Sequence, residues 1–203
     1  ISISGDGSAA SGIKGDETFT LTFNKEQTEI SELTFYCTSH SSMQSSFNVK
    51  NWDPYKFTTR TELDTAVDLW ISDEASATET YGDINTWDVS EITDFSYLFA
   101  GKGNWNQYAN TFNSDISNWD VGSGTDFRGM FRSSTDFNQD IGGWDVSSGT
   151  DFREMFRSAT DFNQDIGGWD VSSGLLFGTM FDGASRFNQD IGGWEVGSGR
   201  GFE

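Results

Sequence analysis

A mainly β chain with short helices is the fold class this sequence predicts: part of a β-sandwich, then a helix-capped solenoid of about 25-residue coils. Three observations predict it. Trp119, Trp144, Trp169 and Trp194 fall 25 residues apart, with Trp87 placed 32 residues before the first of them. Apolar and polar residues alternate in three segments ahead of residue 52. Between these regions lies one stretch with the period of a helix. The domains expected are therefore 1–52, a partial sandwich; 53–80, a linker with a capping helix; and 81–203, the repeats.

The unit reads W-D-V-x-S-G-x-x-F-x-x-M-F-x-x-x-x-x-F-N-Q-D-I-G-G. A fixed period in this range marks coils that bury their apolar faces only against one another. In one coil the apolar set is Trp144, Val146, Phe152, Met155, Phe156, Phe162 and Ile166. Phe152, Met155 and Phe156 have the i, i+3, i+4 spacing of one face of a short helical turn, with Thr150 and Asp151 placed to cap it. Trp144 and Val146, two apart, share one side of a short strand. Gly167–Gly168 supplies a corner where positive φ is cheap. Asn113, Asn138, Asn163 and Asn188 predict an internal ladder of amides that satisfies turn backbone. Four large aromatic rings per coil give an otherwise polar chain its core.

Ahead of the repeats, Thr59 and Glu62 form a capping box. Leu63, Ala66, Val67 and Trp70 follow at helical spacing, so a helix from about Arg60 to Ile71 is expected to cover the first coil. In the N-terminal segment, Phe19, Leu21 and Phe23 alternate with polar residues, as do Leu33, Phe35 and Cys37, and Phe47 with Val49. These predict three half-buried antiparallel strands. Pro54 marks the linker.

The stretch "FNQDIGGWDVSSGTDFREMF" (Phe137–Phe156) resembles the BspA-type leucine-rich-repeat-like family, and "WDVSEITDFSYLF" (Trp87–Phe99) resembles it most closely. The resemblance covers roughly Tyr81 to Glu203. It implies short parallel strands in a curved or flat solenoid, and surface-exposed proteins of bacteria, marine algae and viruses used for attachment. Here "SSGT" stands where that family carries an apolar residue, which makes the packing of this corner a specific question.

Cys37, His40 and Met43, in "YCTSHSSMQSSFNV", are similar to the C-terminal ligand loop of cupredoxins. Thiolate, imidazole and thioether are the ligands of a blue-copper site. Such a site takes two histidines, and His40 is the single histidine of the chain. The resemblance would place the other ahead of Ile1. The alternative is inherited architecture, with Cys37 serving as a small buried hydrophobe.

Two further candidates lie in the repeats. Asp88, Asp120, Asp145, Asp170 and Glu195 occupy one place in successive coils, an outward column spaced by about 4.8 Å. Neighbouring charges there repel by about 0.9 kcal/mol in water, so calcium is allowed but not required, and turn-capping acids are the plainer reading. Asp115, Asp140, Asp165 and Asp190 form a second such column. The first unit is seven residues longer than its successors, and the excess carries Trp105 and Tyr108 among Gly and Asn. Insertions of this kind emerge on one face, where aromatic rings suit a glycan or a protein; the same rings could instead complete the cap. Leu175–Leu176 replace the Thr-Asp pair of the other units, either as a subunit contact or as a local repacking.

Composition narrows the function classes. The chain has 203 residues, with 12 Lys+Arg against 32 Asp+Glu, a formal net charge of −20, and 15% aromatic residues. Such a surface repels nucleic acid, and no apolar run approaches membrane-spanning length. No metalloprotease, phosphate-binding or nucleotide motif occurs, and near-identical repeated carboxylates argue against an acid–base pair, which needs unlike environments. The chain opens at Ile1 without Met and stops at Glu203 within a unit, so a processed or excised piece is expected, continued or covered by a neighbouring copy or subunit at its open coil. The acidic, lysine-poor surface suits a salty exterior, and the family resemblance implies an extracellular, cell-surface or virion-surface setting. The expectation is a non-catalytic module that binds proteins or glycans without a cofactor. The alternatives are a structural subunit of a virion appendage or filament, and a copper-binding protein.

Overall fold

The structure is a computed structural model. It describes residues 54–100, 111–197 and 199, together with the backbone of residues 2–5, 19–22, 32–37 and 40–48. The chain divides into two compact units, Ile1–Asp53 and Pro54–Glu203.

In the first unit, β1 (Ser2–Gly5) pairs antiparallel with β2 (Phe19–Thr22), and β3 (Glu32–Cys37) pairs antiparallel with β4 (His40–Asn48). These are two separate two-stranded sheets, so the expected sandwich is corrected. The ligand-loop reading changes as well. Cys37 pairs with His40 across the β3–β4 ribbon, and His40 and Met43 belong to β4 rather than to a loop.

The second unit corrects the other half of the expected fold class. Among its described residues there is no β-strand, only two α-helices, one 3-10 turn and four isolated parallel bridges. The chain is thus neither a mainly β sandwich nor a mainly β solenoid. The backbone explains why strands do not form. In each F-x-x-M-F segment, and in Phe95–Phe99 where Leu98 replaces the Met, the third residue is left-handed: Tyr97, Gly129, Glu154 and Thr179, with φ of 54, 59, 58 and 54°. Ser133, Ser158 and Gly183 repeat this four residues further on, with φ of 60, 58 and 75°. Two left-handed residues four apart in a layer, as at Glu154 and Ser158, break both an extended strand and the helical turn expected for Phe152, Met155 and Phe156. Tight turns result instead, as when Met155 N–H donates to the Phe152 carbonyl and Ala159 N–H to that of Phe156.

Alternate amides then join one repeat to the next. Phe127, Gly129, Phe131 and Ser133 donate to the carbonyls of Asp151, Arg153, Met155 and Arg157 at 2.8–2.9 Å. This register lays the rings over their copies. Phe95, Phe127, Phe152 and Phe177 stack with centroids 5.5, 5.5 and 5.4 Å apart. Phe99, Phe131, Phe156 and Phe181 form a second column at 5.4–5.6 Å, and Phe112, Phe137, Phe162 and Phe187 a third at 5.8–6.0 Å. Each buried ring removes roughly 150–250 Å² from water, and the offset parallel pairs add directional attraction.

The layers carry two kinds of glycine. A Cβ on Gly149 would lie 2.3 Å from Phe152 Cζ, and Gly124 and Gly174 meet Phe127 and Phe177 in the same way. That answers the "SSGT" question: the phenylalanine ring occupies the space an apolar side chain would need, whereas the first unit carries buried Ile92 at that place. Gly167 is required for close approach, since a Cβ there would sit 2.4 Å from the Asp190 carbonyl oxygen, and the positive φ expected at this corner is not found.

The first layer is covered by α1 (Arg60–Ser72) and α2 (Glu74–Tyr81). Thr59 accepts from Glu62 N–H and so caps α1, which buries Leu63, Ala66, Val67 and Trp70. Glu62 does not close the box but accepts from the Tyr55 hydroxyl at 2.7 Å. Asp73 caps α2, a helix with a single buried residue, Ala77, and hence no apolar periodicity to reveal it in the sequence. Phe57 N–H donates to the Asp88 carbonyl and Asp88 N–H to that of Tyr55, which completes the cover.

Candidate functional site

With the rings turned inward, the surface consists of columns of polar side chains, and each column is built by the same local bond in every layer. Asp88, Asp120, Asp145 and Asp170 each accept the N–H two residues ahead, at 3.0–3.1 Å. The Ser90 hydroxyl, 2.6 Å away, holds Asp88 below the usual carboxylate range, assisted by Ser90 N–H and Lys56 against the opposing effect of burial. The Ser147 and Ser172 side chains do the same for Asp145 and Asp170. Asp115, Asp140, Asp165 and Asp190 repeat the motif at the next corner. These acids are turn caps by geometry. Among the described residues no group of three or more His, Cys, Asp or Glu side chains is placed to hold a metal ion.

The amides form the expected ladder, but at the surface rather than inside. Asn113, Asn138 and Asn163 accept, through their side-chain oxygens, from the N–H of Asn138, Asn163 and Asn188 at 3.0, 2.9 and 2.8 Å. Gln139, Gln164 and Gln189 donate to the same asparagines. On the indole side, Trp119, Trp144, Trp169 and Trp194 donate to the carbonyls of Ile84, Ile116, Ile141 and Ile166 in the preceding layer.

A third face is chemically distinct. Arg128, Arg132 and Arg157 gather there around Glu154, and Arg153 pairs with Asp151. The Glu154 carboxylate receives Arg132 at 2.6 Å, Arg157 at 3.5 Å and Arg128 at 3.6 Å. Both Asp151 oxygens accept from Arg153, and Arg157 also reaches Asp182 at 3.1 Å. The Arg128 guanidinium lies 5.5 Å from the centre of the Tyr97 ring, which itself covers Gly129. Beside this group, burial pushes the Asp126 carboxyl up, and the charges of Asp151 and Asp94 add to that rise. The sequence reading did not single out these arginines. Their signal was present, since Arg128 and Arg153, like Arg132 and Arg157, recur at the repeat period.

A family model described as "Mycoplasma protein of unknown function, DUF285" matches residues 23–109 and 71–194, two overlapping spans. The chain belongs to the DUF285 family. No curated protein and no solved structure matches it. The first DUF285 span runs through residues 23–52, inside the segment read as cupredoxin-like.

The other expected site residues fall elsewhere in this DUF285 member. The side chains of Cys37, His40 and Met43, and the whole of Trp105 and Tyr108, lie outside the described residues. Glu195 is exposed in the last layer. Leu175 is 48% exposed, and Leu176 keeps the bridge to Asp151 that an aspartate makes in earlier layers. Phe177, Met180, Phe181, Ile191, Trp194 and Val196 line an apolar hollow of about 530 Å³ on the last layer. Among the described residues no helix is long and apolar enough to cross a membrane.

Proposed function

We propose that the chain is a non-catalytic, extracellular binding module that presents a regular ladder of side chains to proteins or glycans on a cell or particle surface. The observation that carries this reading is the sameness of the layers. Asp145 and Asp170 have matching hydrogen-bond partners and matching pKa directions, so neither is differentiated as an acid or a base. A surface repeated at a fixed pitch offers several weak contacts at once, which multiply into avidity. The DUF285 match, together with the BspA-like motif, supports placement at a surface and use in attachment.

The test is direct. The purified chain is applied to arrays of glycans and of surface proteins, and its mass is measured at dilution. A stable monomer that binds at least one surface class supports the reading; a monomer that binds none overturns it.

The apolar hollow lined by Phe181 and Trp194 favours a second reading, a structural subunit of a virion appendage or extracellular filament in which a neighbouring copy covers these rings. Obligate multimers at dilution, abolished by Phe181→Ser, support that reading over the first.

A further inference from the structure

We propose that the arginine face of residues 128–157 binds an anionic polysaccharide. This rests on the binding-module reading above and names its ligand class. In a chain of net charge −20, four of the 12 cationic residues lie within two adjacent layers of one face.

What a partner meets there is set by depth. The Asp151 and Glu154 side chains are 12% and 14% exposed, whereas those of Arg128, Arg153, Arg157 and Arg132 are 39, 39, 37 and 28% exposed. The carboxylates form the floor and the guanidinium groups the outer layer. Asp182 and Asp94 are exposed exceptions, held by Arg157 and by Arg60. Each guanidinium offers five N–H donors, and the bonds that Arg128, Arg153 and Arg157 make to Glu154, Asp151 and Asp182 engage only some of theirs. Arg128 makes the loosest pairing, 3.6 Å from Glu154. The floor carboxylates orient the arginines without consuming them, and bidentate recognition of sulfate or carboxylate groups is what such a layer does well.

The remaining negative charge of the chain does not forbid this. At 0.15 M salt the screening length is about 8 Å, so carboxylates on the other faces act weakly at this one. Arg128 and Arg153, like Arg132 and Arg157, stand at equivalent places of adjacent layers, and Arg132 and Arg157 meet on one Glu154 oxygen. A linear polymer with an anionic group on successive sugars presents several charges at once, which suits four neighbouring guanidinium groups better than an isolated anion does.

The experiment measures binding of the 203-residue chain to immobilised dextran sulfate, polygalacturonate, uncharged dextran and duplex DNA at about 0.15 M salt. Binding to dextran sulfate or polygalacturonate with none to dextran is expected, and the two polyanions distinguish sulfate from carboxylate as the group recognised. The triple variant R128Q/R153Q/R157Q should lose at least about tenfold in affinity, and R186Q, whose exposed arginine pairs with Asp161 elsewhere, less than about twofold. If the triple variant does not fold, as judged by circular dichroism, Arg128→Gln alone is expected to weaken binding about threefold or more and Arg128→Lys less. Equal losses for R186Q, equal binding to DNA, or failure to bind either polyanion overturns the proposal. A chain that ignores both polyanions yet binds a neutral glycan or a protein leaves the module reading standing; one that binds nothing removes both.

Discussion

Trp169 Nε1 donates to the carbonyl oxygen of Ile141 at 3.0 Å, across 28 residues of sequence and one layer of the stack. Both groups are buried, so removing the donor strands an acceptor away from water. Trp169→Phe is expected to cost at least about 2 kcal/mol, from the orphaned carbonyl and the smaller ring. Urea denaturation measures it, and a loss below half that value would mean the bond contributes little.

Gly149 and Gly143 make a controlled pair. A Cβ on Gly149 would lie 2.3 Å from the Phe152 ring, while a Cβ on Gly143 would have nothing within 4 Å. Gly149→Ala should therefore destabilise by about 1–3 kcal/mol through overpacking. Gly143→Ala should be neutral, or stabilising by up to about 1 kcal/mol, because it restricts the unfolded chain. Thermal melts of the two variants should separate in opposite directions from the parent.

Thr179 holds φ of 54° with a β-branched side chain, the least suited kind for the left-handed region, and the equivalent place in an earlier layer carries Gly129. Thr179→Asn, a residue that tolerates this conformation, is expected to raise stability by roughly 0.5–1 kcal/mol. An unchanged or lowered melting temperature would count against a left-handed backbone at this position.

Asp126 supplies a pH test. Its folded pKa is raised, first by burial and then by the neighbouring Asp151 and Asp94 charges. Between the unfolded and the folded pKa the native state binds more protons, so this group's contribution to stability falls as pH rises through that window. Asp126→Asn keeps an oxygen to accept from Arg128 N–H, a bond of 2.9 Å, while removing the charge. The variant should gain stability relative to the parent at pH 7, and the gain should vanish below the ordinary aspartate value of about 3.9. A gain of the same size at both pH values would assign the effect to something other than ionisation.

Much of the packing was legible because one residue type repeats at one spacing. The tryptophan period, the three phenylalanines per unit and the Thr59-capped helix all reappear as contacts. The backbone conformation was not legible. Glu154 and Ser158 do not favour a left-handed φ strongly enough to announce it, yet these residues replace strands by turns and so overturn the mainly β class. The arginine face was hidden for another reason. Its residues occupy variable positions of the unit, and only the pairing of one layer with the next brings Arg128, Arg132 and Arg157 onto Glu154.

Hydrogen exchange at the indole nitrogens, followed residue by residue in a nitrogen-15-labelled sample, tests the stacking most directly. The Nε1 protons of Trp119, Trp144 and Trp169 should be protected together, slowed at least about a hundredfold relative to the urea-unfolded chain, because each is bonded to the layer before it. Exchange of these three protons at the rate of a free indole would contradict the stacked arrangement.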